Sequence, residues 1–506
     1  MAVSTRWAAQ SEGPGDRALG VVAAGHPLTA EAGRDVLRQG GNAVDAALAA
    51  MLTSFVAEPL LTGFGAGGYM LVGGPDDDTV LLDFFVSAPG HGADLDARAP
   101  LEPVDVSFGD ANQMFNIGAA SVGVYGNPSG ICEASRRFGT VPLADLAAPA
   151  AALARAGVPL NAQQAYVFHI LAPIVAATEE SRALFMPSGD PPGVGDRLAD
   201  PLLADALERL GAEGAAPFYT GDVAAAAVEW VRERGGMLTA EDLARYETAA
   251  RVPVRVAYRG RQVLTNPPPS AGGVLLAYAL GLLERTDGRS EVCEIVEVME
   301  RAQAERTGEF TDGLDDPGFL DAFMASRLGS TTHISVLDAD GMACSVTCTN
   351  GEGSGLVVPG TGVHLNNMMG EQDLSPFGFF THPPGRRLPS MMAPTLVLHD
   401  DAPELVLGSA GSNRIRSAIL QVVLGVIDRG LDVAAAVQAP RVHFEDGIVY
   451  AEPAIDVSAL EAAGRTVARF RDLNLFFGGC QAVSRDPSGR LAGAGDPRRG
   501  GVAVVA

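Results

Sequence analysis

The sequence has no lysine; all 36 basic residues are arginine. That removes Schiff-base chemistry with pyridoxal phosphate, the phosphate-loop lysine and any Ser-Lys dyad. Cysteine is scarce: Cys132, Cys293, Cys344, Cys348 and Cys480, with no Cys-x-x-Cys pair. Cys344 and Cys348 would share one face of a strand, so buried thiols are expected rather than metal ligands. The eight histidines form no His-x-x-x-His pattern, and no metal site is expected. Positive charge is short as well. A formal charge of -25 argues against a nucleic-acid partner, because phosphate binding needs clustered cations. No run is long enough to span a bilayer, and Met1 to Trp7 lacks an apolar core of signal-peptide length. A cytoplasmic protein with no membrane partner is the expectation.

What is present is a large apolar fraction, 47% of 506 residues, enough for two or three ordinary domains or one large layered one. Residues 19–24 read as a first strand and 29–37 as a helix closed by Gly40-Gly41. Asn42 caps a second, Ala-rich helix through residue 56. Gly63, Gly65 and Gly68 match Gly-x-Gly-x-x-Gly, but a helix precedes them and a strand follows, the reverse of the dinucleotide motif. These glycines are better read as letting backbone approach backbone. Residues 81–86 read as a strand and 90–120 as an irregular connection. Helix dominates 142–243, with a capping-box start at Thr239. Residues 254–264 alternate like one strand, Pro267-Pro268-Pro269 breaks it, and 271–310 return to helix. After residue 331 the pattern is strand-rich to 391, with two short strands over 394–407, a helix over 414–429, and strands in 442–452 and 489–504. Helical and strand segments come in blocks, which predicts an α+β protein with helices layered over mostly antiparallel sheet.

The stretch Gly329-Ser330-Thr331-Thr332-His333-Ile334-Ser335-Val336 organises the rest. Asp338-Ala339-Asp340-Gly341 reads as a turn, and residues 343–349 return as a second strand. Residues 309–330, polar and rich in Gly and Asp, are a place where a cut could be tolerated. If the bond before Thr331 is cut, the hydroxyl and a free α-amine lie on one residue. The amine can then take the hydroxyl proton, so nucleophile and base need no other side chain.

Several segments in order resemble the γ-glutamyltransferase family of N-terminal nucleophile (Ntn) hydrolases. They are Gly40-Gly41-Asn42-Ala43-Val44-Asp45-Ala46-Ala47, Glu58-Pro59, Thr62-Gly63-Phe64-Gly65-Ala66-Gly67-Gly68, Thr331-Thr332-His333, Leu365-Asn366-Asn367-Met368-Met369, Met392-Ala393-Pro394-Thr395, Gly408-Ser409-Ala410-Gly411-Ser412-Asn413-Arg414-Ile415, Ala439-Pro440-Arg441 and Asp496-Pro497-Arg498. The resemblance implies a four-layer αββα sandwich and a precursor that cuts itself between Ser330 and Thr331. The products, 1–330 and 331–506, would stay together as one domain. No metal or organic cofactor is implied. Thr331 matches the family nucleophile, and Thr349 a second threonine that contacts the nucleophile's α-amine. Gly411 and Ser412 match a Gly-Gly pair whose N–H groups form the oxyanion hole.

The substrate positions depart from the family. Phe85 stands where an Arg normally holds the glutamyl α-carboxylate. Glu371 stands for the Asp that receives the substrate ammonium. The family's next Asn aligns with Asn350 or Gly351, and of an expected Ser-Ser pair only Ser390 remains. The expected enzyme is therefore a self-processing hydrolase or acyltransferase acting on a small amino-acid-derived substrate, with water or an amine as acceptor and altered carboxylate recognition. Two alternatives stand beside it. One is a C–C bond hydrolase of the same family, acting on a keto-acid intermediate in antibiotic (4-alkylproline-type) biosynthesis. The other is a non-catalytic binding protein on the same fold.

Overall fold

Strands buried on both faces force a layered architecture. In Gly20–Ala24 (β2), Val21 and Ala23 enter one core, while Val22 and Ala24 enter another. A strand of this kind needs a partner layer on each side. The computed structural model describes residues 8–10, 18–74, 79–107, 112–286, 291–304, 332–375 and 378–506.

The remaining strands of the two main sheets are β1 (Ala8–Gln10), β3 (Gly67–Gly73), β4 (Val80–Phe84), β5 (Ala249–Arg251), β6 (Val254–Tyr258), β7 (Arg261–Thr265), β8 (Thr332–Asp338), β9 (Ala343–Thr349), β10 (Thr395–His399), β11 (Ala402–Ala410), β12 (Gly479–Arg485), β13 (Leu491–Ala494) and β14 (Val502–Val505). One seven-stranded sheet has the order β14-β2-β8-β9-β3-β4-β5, the other β1-β13-β12-β11-β10-β7-β6. Neighbours in both are antiparallel.

Helices α1 (Pro27–Arg38), α2 (Ala43–Ala57), α3 (Asn127–Phe138), α4 (Leu143–Ala156), α5 (Pro201–Glu213) and α6 (Asp222–Glu233) lie on the first sheet's side. There Ala47, Leu146 and Leu207 share a core with Met70, Leu82 and Val346. Helices α7 (Ala271–Leu283), α8 (Val292–Ala304) and α9 (Arg414–Ile427) cover the second sheet, and Leu280, Val296 and Val422 pack with Val397 and Leu407. Leu71, Leu81 and Leu337 of the first sheet join the same core across the gap between the sheets. The result is the expected αββα sandwich.

Helix α2 sits at the centre of one helical layer. Asn42 accepts from the N–H groups of Val44 and Asp45, both at 2.9 Å, and Asp45 returns the bond to Asn42 N–H at 3.0 Å. The same carboxylate also takes the Thr140 and Val141 N–H groups, so the cap ties down a loop far along the chain.

Three expectations need correction. Residues 90–120 contain a hairpin, Glu102–Ser107 with Asn112–Ile117, whose Val104, Val106, Phe115 and Ile117 turn to a small satellite core while Asp105 and Met114 stay exposed. The run 254–264 is two strands, because Arg259 and Gly260 both take positive φ and turn the chain. Between residues 350 and 391 the described chain is mostly loops and short 3-10 turns, with strands only at Val357–Val358 and Val363–His364. Its Asn side chains satisfy the backbone instead: Asn366 donates to the carbonyls of Gly65 and Gly123 and accepts from the N–H groups of Gly123 and Met368.

Candidate active site

The central hairpin β8–β9 follows from its turn. Asp338 accepts from the N–H groups of Asp340 and Met342, and Gly341 takes φ 93°. The register then pairs Thr332 with Cys348 and His333 with Thr347. Ser330 and Thr331 lie outside the described residues; Thr332 is the first described residue of β8. Side chains alternate. Thr332, Ile334, Cys344 and Cys348 therefore turn to the helical layer, and the two thiols are buried as expected. His333, Ser335, Ser345, Thr347 and Thr349 turn to the gap between sheets.

That gap carries a polar seam. The His333 ring bridges Thr347 Oγ1 at 2.8 Å and Ser335 Oγ at 2.9 Å, and Ser335 donates onward to Gln481 O at 3.1 Å. Ser345 donates to Leu407 O at 3.0 Å. Burial holds the His333 imidazole down to about 3, so it stays neutral. Gly408 of β11 lies directly under this ring, where a side chain would collide with it.

Two residues beyond Gly408, β11 ends at Ala410, and the chain turns through Gly411 (φ 122°) and Ser412 (φ 52°) into α9. Since Gly408 faces His333 and β11 runs on past it, this turn sits at the Thr332 end of the hairpin. A Cβ on Gly411 would approach Gly478 Cα to 2.6 Å and Arg499 Nη2 to 3.3 Å. The turn is thus closed by backbone on one side and a guanidinium on the other.

Thr349, Asn350 and Glu371 also come together. Thr349 Oγ1 accepts from Gly351 N–H at 2.8 Å. Asn367 links its neighbours, taking Asn350 O with its N–H at 3.3 Å and donating through Nδ2 to Glu371 Oε1 at 2.8 Å. Gly351 lies against both, and a Cβ there would stand 2.9 Å from Glu371 Oε1. Asn350 Nδ2 meets His364 Nδ1 at 3.2 Å, and Asn350 Oδ1 is buried with no partner among the described residues.

Phe85 lies across β3 from Thr349. Thr349 pairs with Gly67, and the backbone of Phe84 to Val86 closes on Gly67 within 3.0 Å of where a Cβ would stand. The Phe85 ring stacks on Tyr69, centroids 5.5 Å apart. Arg251 and Arg387 reach this strand, but both are engaged with Asp83, at 2.6 and 3.2 Å. Ser390 is buried apart from the others; its hydroxyl accepts from Met392 N–H at 3.1 Å, and its carbonyl caps the start of α7 through Ala271 and Gly272.

Two residues not singled out as site residues from the sequence stand at the same end. Glu58, the C-terminal cap of α2, places its carboxylate over Gly25, next to the Ala24–Ile334 pair. Its Oε2 is buried without a partner among the described residues. Burial raises its carboxyl to about 8, against the opposing pull of Arg499. Arg499, half-buried beside Gly411, bonds Leu475 O at 3.3 Å, and burial lowers its guanidinium to about 10. Glu58-Pro59 was visible as a motif, but nothing in its spacing links it to a residue 441 positions later.

The layered fold with a nucleophile-type strand at its centre is that of the Ntn hydrolases. The crystal structure of a cephalosporin acylase from Bacillus halodurans matches with TM-score 0.84 and 27% identity, covering 99% of this chain and 97% of that one. The chain belongs to the gamma-glutamyltranspeptidase family, whose model matches residues 29–324 and 315–506. It is 31% identical to the acylase ACY 1 proenzyme of Pseudomonas sp. (strain SE83), over 97% of this chain and 94% of that protein. It is 32% identical to the glutathione hydrolase proenzyme of Escherichia coli (strain K12), over 95% and 90%. The chain is thus related throughout its length to hydrolases named as proenzymes.

Proposed function

We propose that the chain is a proenzyme that cuts itself between Ser330 and Thr331 and then hydrolyses an acyl bond through Thr331. The Thr331 Oγ attacks the substrate carbonyl while its own α-amine takes the hydroxyl proton. The oxyanion forms against the N–H groups of Gly411 and Ser412, the leaving amine departs with the proton, and water or an amine resolves the Thr331 ester. The observation that carries this reading is convergence. Thr349, the Gly411–Ser412 turn and the Thr332 end of β8 lie together at one end of the gap between sheets.

Strand order supports the two products staying together. Strands β8, β9 and β14 come after residue 331, and they interleave with β2 and β3, which come before it. Separation would break β2–β14, β2–β8 and β9–β3 at once, exposing the central strands' backbone groups.

The acyl specificity we propose is not that of a free glutamyl group. Phe85 offers no cation, and the Nε groups of Arg251 and Arg387 are drawn to Asp83 instead. The acylase names among the relatives favour the same direction. The test is mass spectrometry of purified protein with turnover of paired anilides. Wild type should give two chains, the smaller starting at Thr331, and Thr331→Ala should stay whole and inactive. A fully active uncut chain would sink the mechanism. Efficient release from a γ-glutamyl anilide, above that from a neutral acyl anilide, would sink the specificity.

A further inference from the structure

A cavity of about 380 Å³ opens beside β4, lined by Ser87 and by the Arg251 and Arg387 that pair with Asp83. It is small for a ligand pocket, but its wall is unusual for a chain of charge -25: Arg245, Arg251, Arg386 and Arg387 all line it. Two acids also line it, and one is spent. The Asp242 carboxylate already accepts from the N–H groups of Gly90, His91 and Thr239, from the Thr239 hydroxyl, and meets His91 Nδ1 at 2.7 Å. The other, Glu247, is exposed.

Behind the wall, a single carboxylate serves two guanidiniums. Asp83 takes Nε of Arg251 and Nε of Arg387. The η nitrogens of Arg387 go to the carbonyls of Phe85, Asp83 and Glu247. Those of Arg251 have no partner among the described residues, and its side chain is 30% exposed. His91 is oriented by its Nδ1 contact with Asp242, which leaves Nε2 for another partner. Donors with unspent capacity therefore meet in a cavity whose negative groups are mostly committed elsewhere.

We propose that this cavity binds a small oxyanion carrying two negative charges, a phosphate or a dicarboxylate, on Arg251 with His91 at its edge. Guanidinium forks match both head groups, and charge-assisted bonds to them are strong. The ligand would bear on β4, because Arg387 and the cavity residue Tyr246 hold Phe85 O at 2.5 and 2.7 Å.

The test is isothermal titration calorimetry of the full chain with inorganic phosphate and, separately, succinate, at ionic strength held constant with sodium chloride. Saturable binding of phosphate alone assigns the phosphate class, and of succinate alone the dicarboxylate class. Arg251→Gln should weaken it about tenfold, the loss of one charge-assisted contact. Glu247→Gln, at an exposed side chain, should tighten it a few-fold without disturbing the fold. No saturable heat up to about 10 mM of either anion, a range that captures even millimolar sites, overturns the proposal. So does binding that is indifferent to both substitutions. The readout is binding alone, so it stands or falls separately from any acyl chemistry.

Discussion

Replacing Glu58 with Gln should make the protein more stable at alkaline pH and change little at acid pH. Glu58 is buried in the fold, with its carboxyl raised from 4.5 to about 8. The folded state therefore keeps a proton that the unfolded chain releases near pH 4.5. Between those values the native state binds more protons, so stability falls as pH rises. The slope is at most about 1.4 kcal/mol per pH unit. Over the window from 4.5 to about 8 the total approaches roughly 5 kcal/mol, reached only above pH 8. An unfolding entropy of about 2.1 cal/mol/K per residue gives a 506-residue chain close to 1 °C per kcal/mol. Glu58→Gln should thus match wild type within about 1 °C at pH 5 and lead by about 4–5 °C at pH 8.5. Scanning calorimetry at half-unit pH steps reads this directly, best in a Thr331→Ala background where both proteins should be single chains. A difference that stays flat from pH 5 to 9 would show that Glu58 is ionised inside the fold, and the account of its burial would fail.

Two further substitutions probe the neighbouring geometry. Gly408→Ala would drive a methyl into the His333 ring, held between Thr347 and Ser335. Overpacking costs about 1–3 kcal/mol, so calorimetry should show a drop of roughly 2–4 °C once strained hydrogen bonds are added; an unchanged midpoint would mean the seam is loosely packed. Ser412→Gly removes a side chain from φ 52°, a conformation that favours glycine. It should gain up to about 1 kcal/mol and leave self-cleavage intact, since the N–H stays. Loss of processing, read on a denaturing gel, would show that the hydroxyl matters and not the backbone donor.

Local chemistry was legible in the sequence wherever one short stretch decides the outcome. The Asp338–Gly341 turn, the Asn42 cap and the alternation along β8 and β9 were all read at close to their observed limits. The glycine-rich run before β3 was read as a place of close backbone approach, and a Cβ at Gly67 would indeed meet backbone. The hairpin at 102–117 was missed because each of its strands buries only two apolar residues, Val104 with Val106 and Phe115 with Ile117, interleaved with Asp and Asn, which strands disfavour. The Arg259–Gly260 turn was missed because an Arg with positive φ carries no turn signature. Of the candidate site, the positions along β9 and β11 followed from motif order. The groups that set its electrostatics did not, since Glu58 and Arg499 come within electrostatic reach of each other only in the folded chain.

Phe85 shows what stacking adds to a substitution read from sequence. As a letter change it would remove one cation from the carboxylate clamp that the family resemblance implies. In the fold it also decides what the neighbours do. Asp83, two residues earlier, draws Arg251 and Arg387 to its carboxylate, and Tyr69 packs its ring on Phe85. A third guanidinium at position 85 would compete for the one buried carboxylate, and a buried charge without a full partner costs several kcal/mol. The aromatic pair therefore fits the double ion pair beside it: an apolar residue at 85 lets Asp83 pair with Nε of both arginines. The acyl selectivity proposed for this position and the stability of the β4 edge are then one problem, because Asp83 pairs with the arginines beside both.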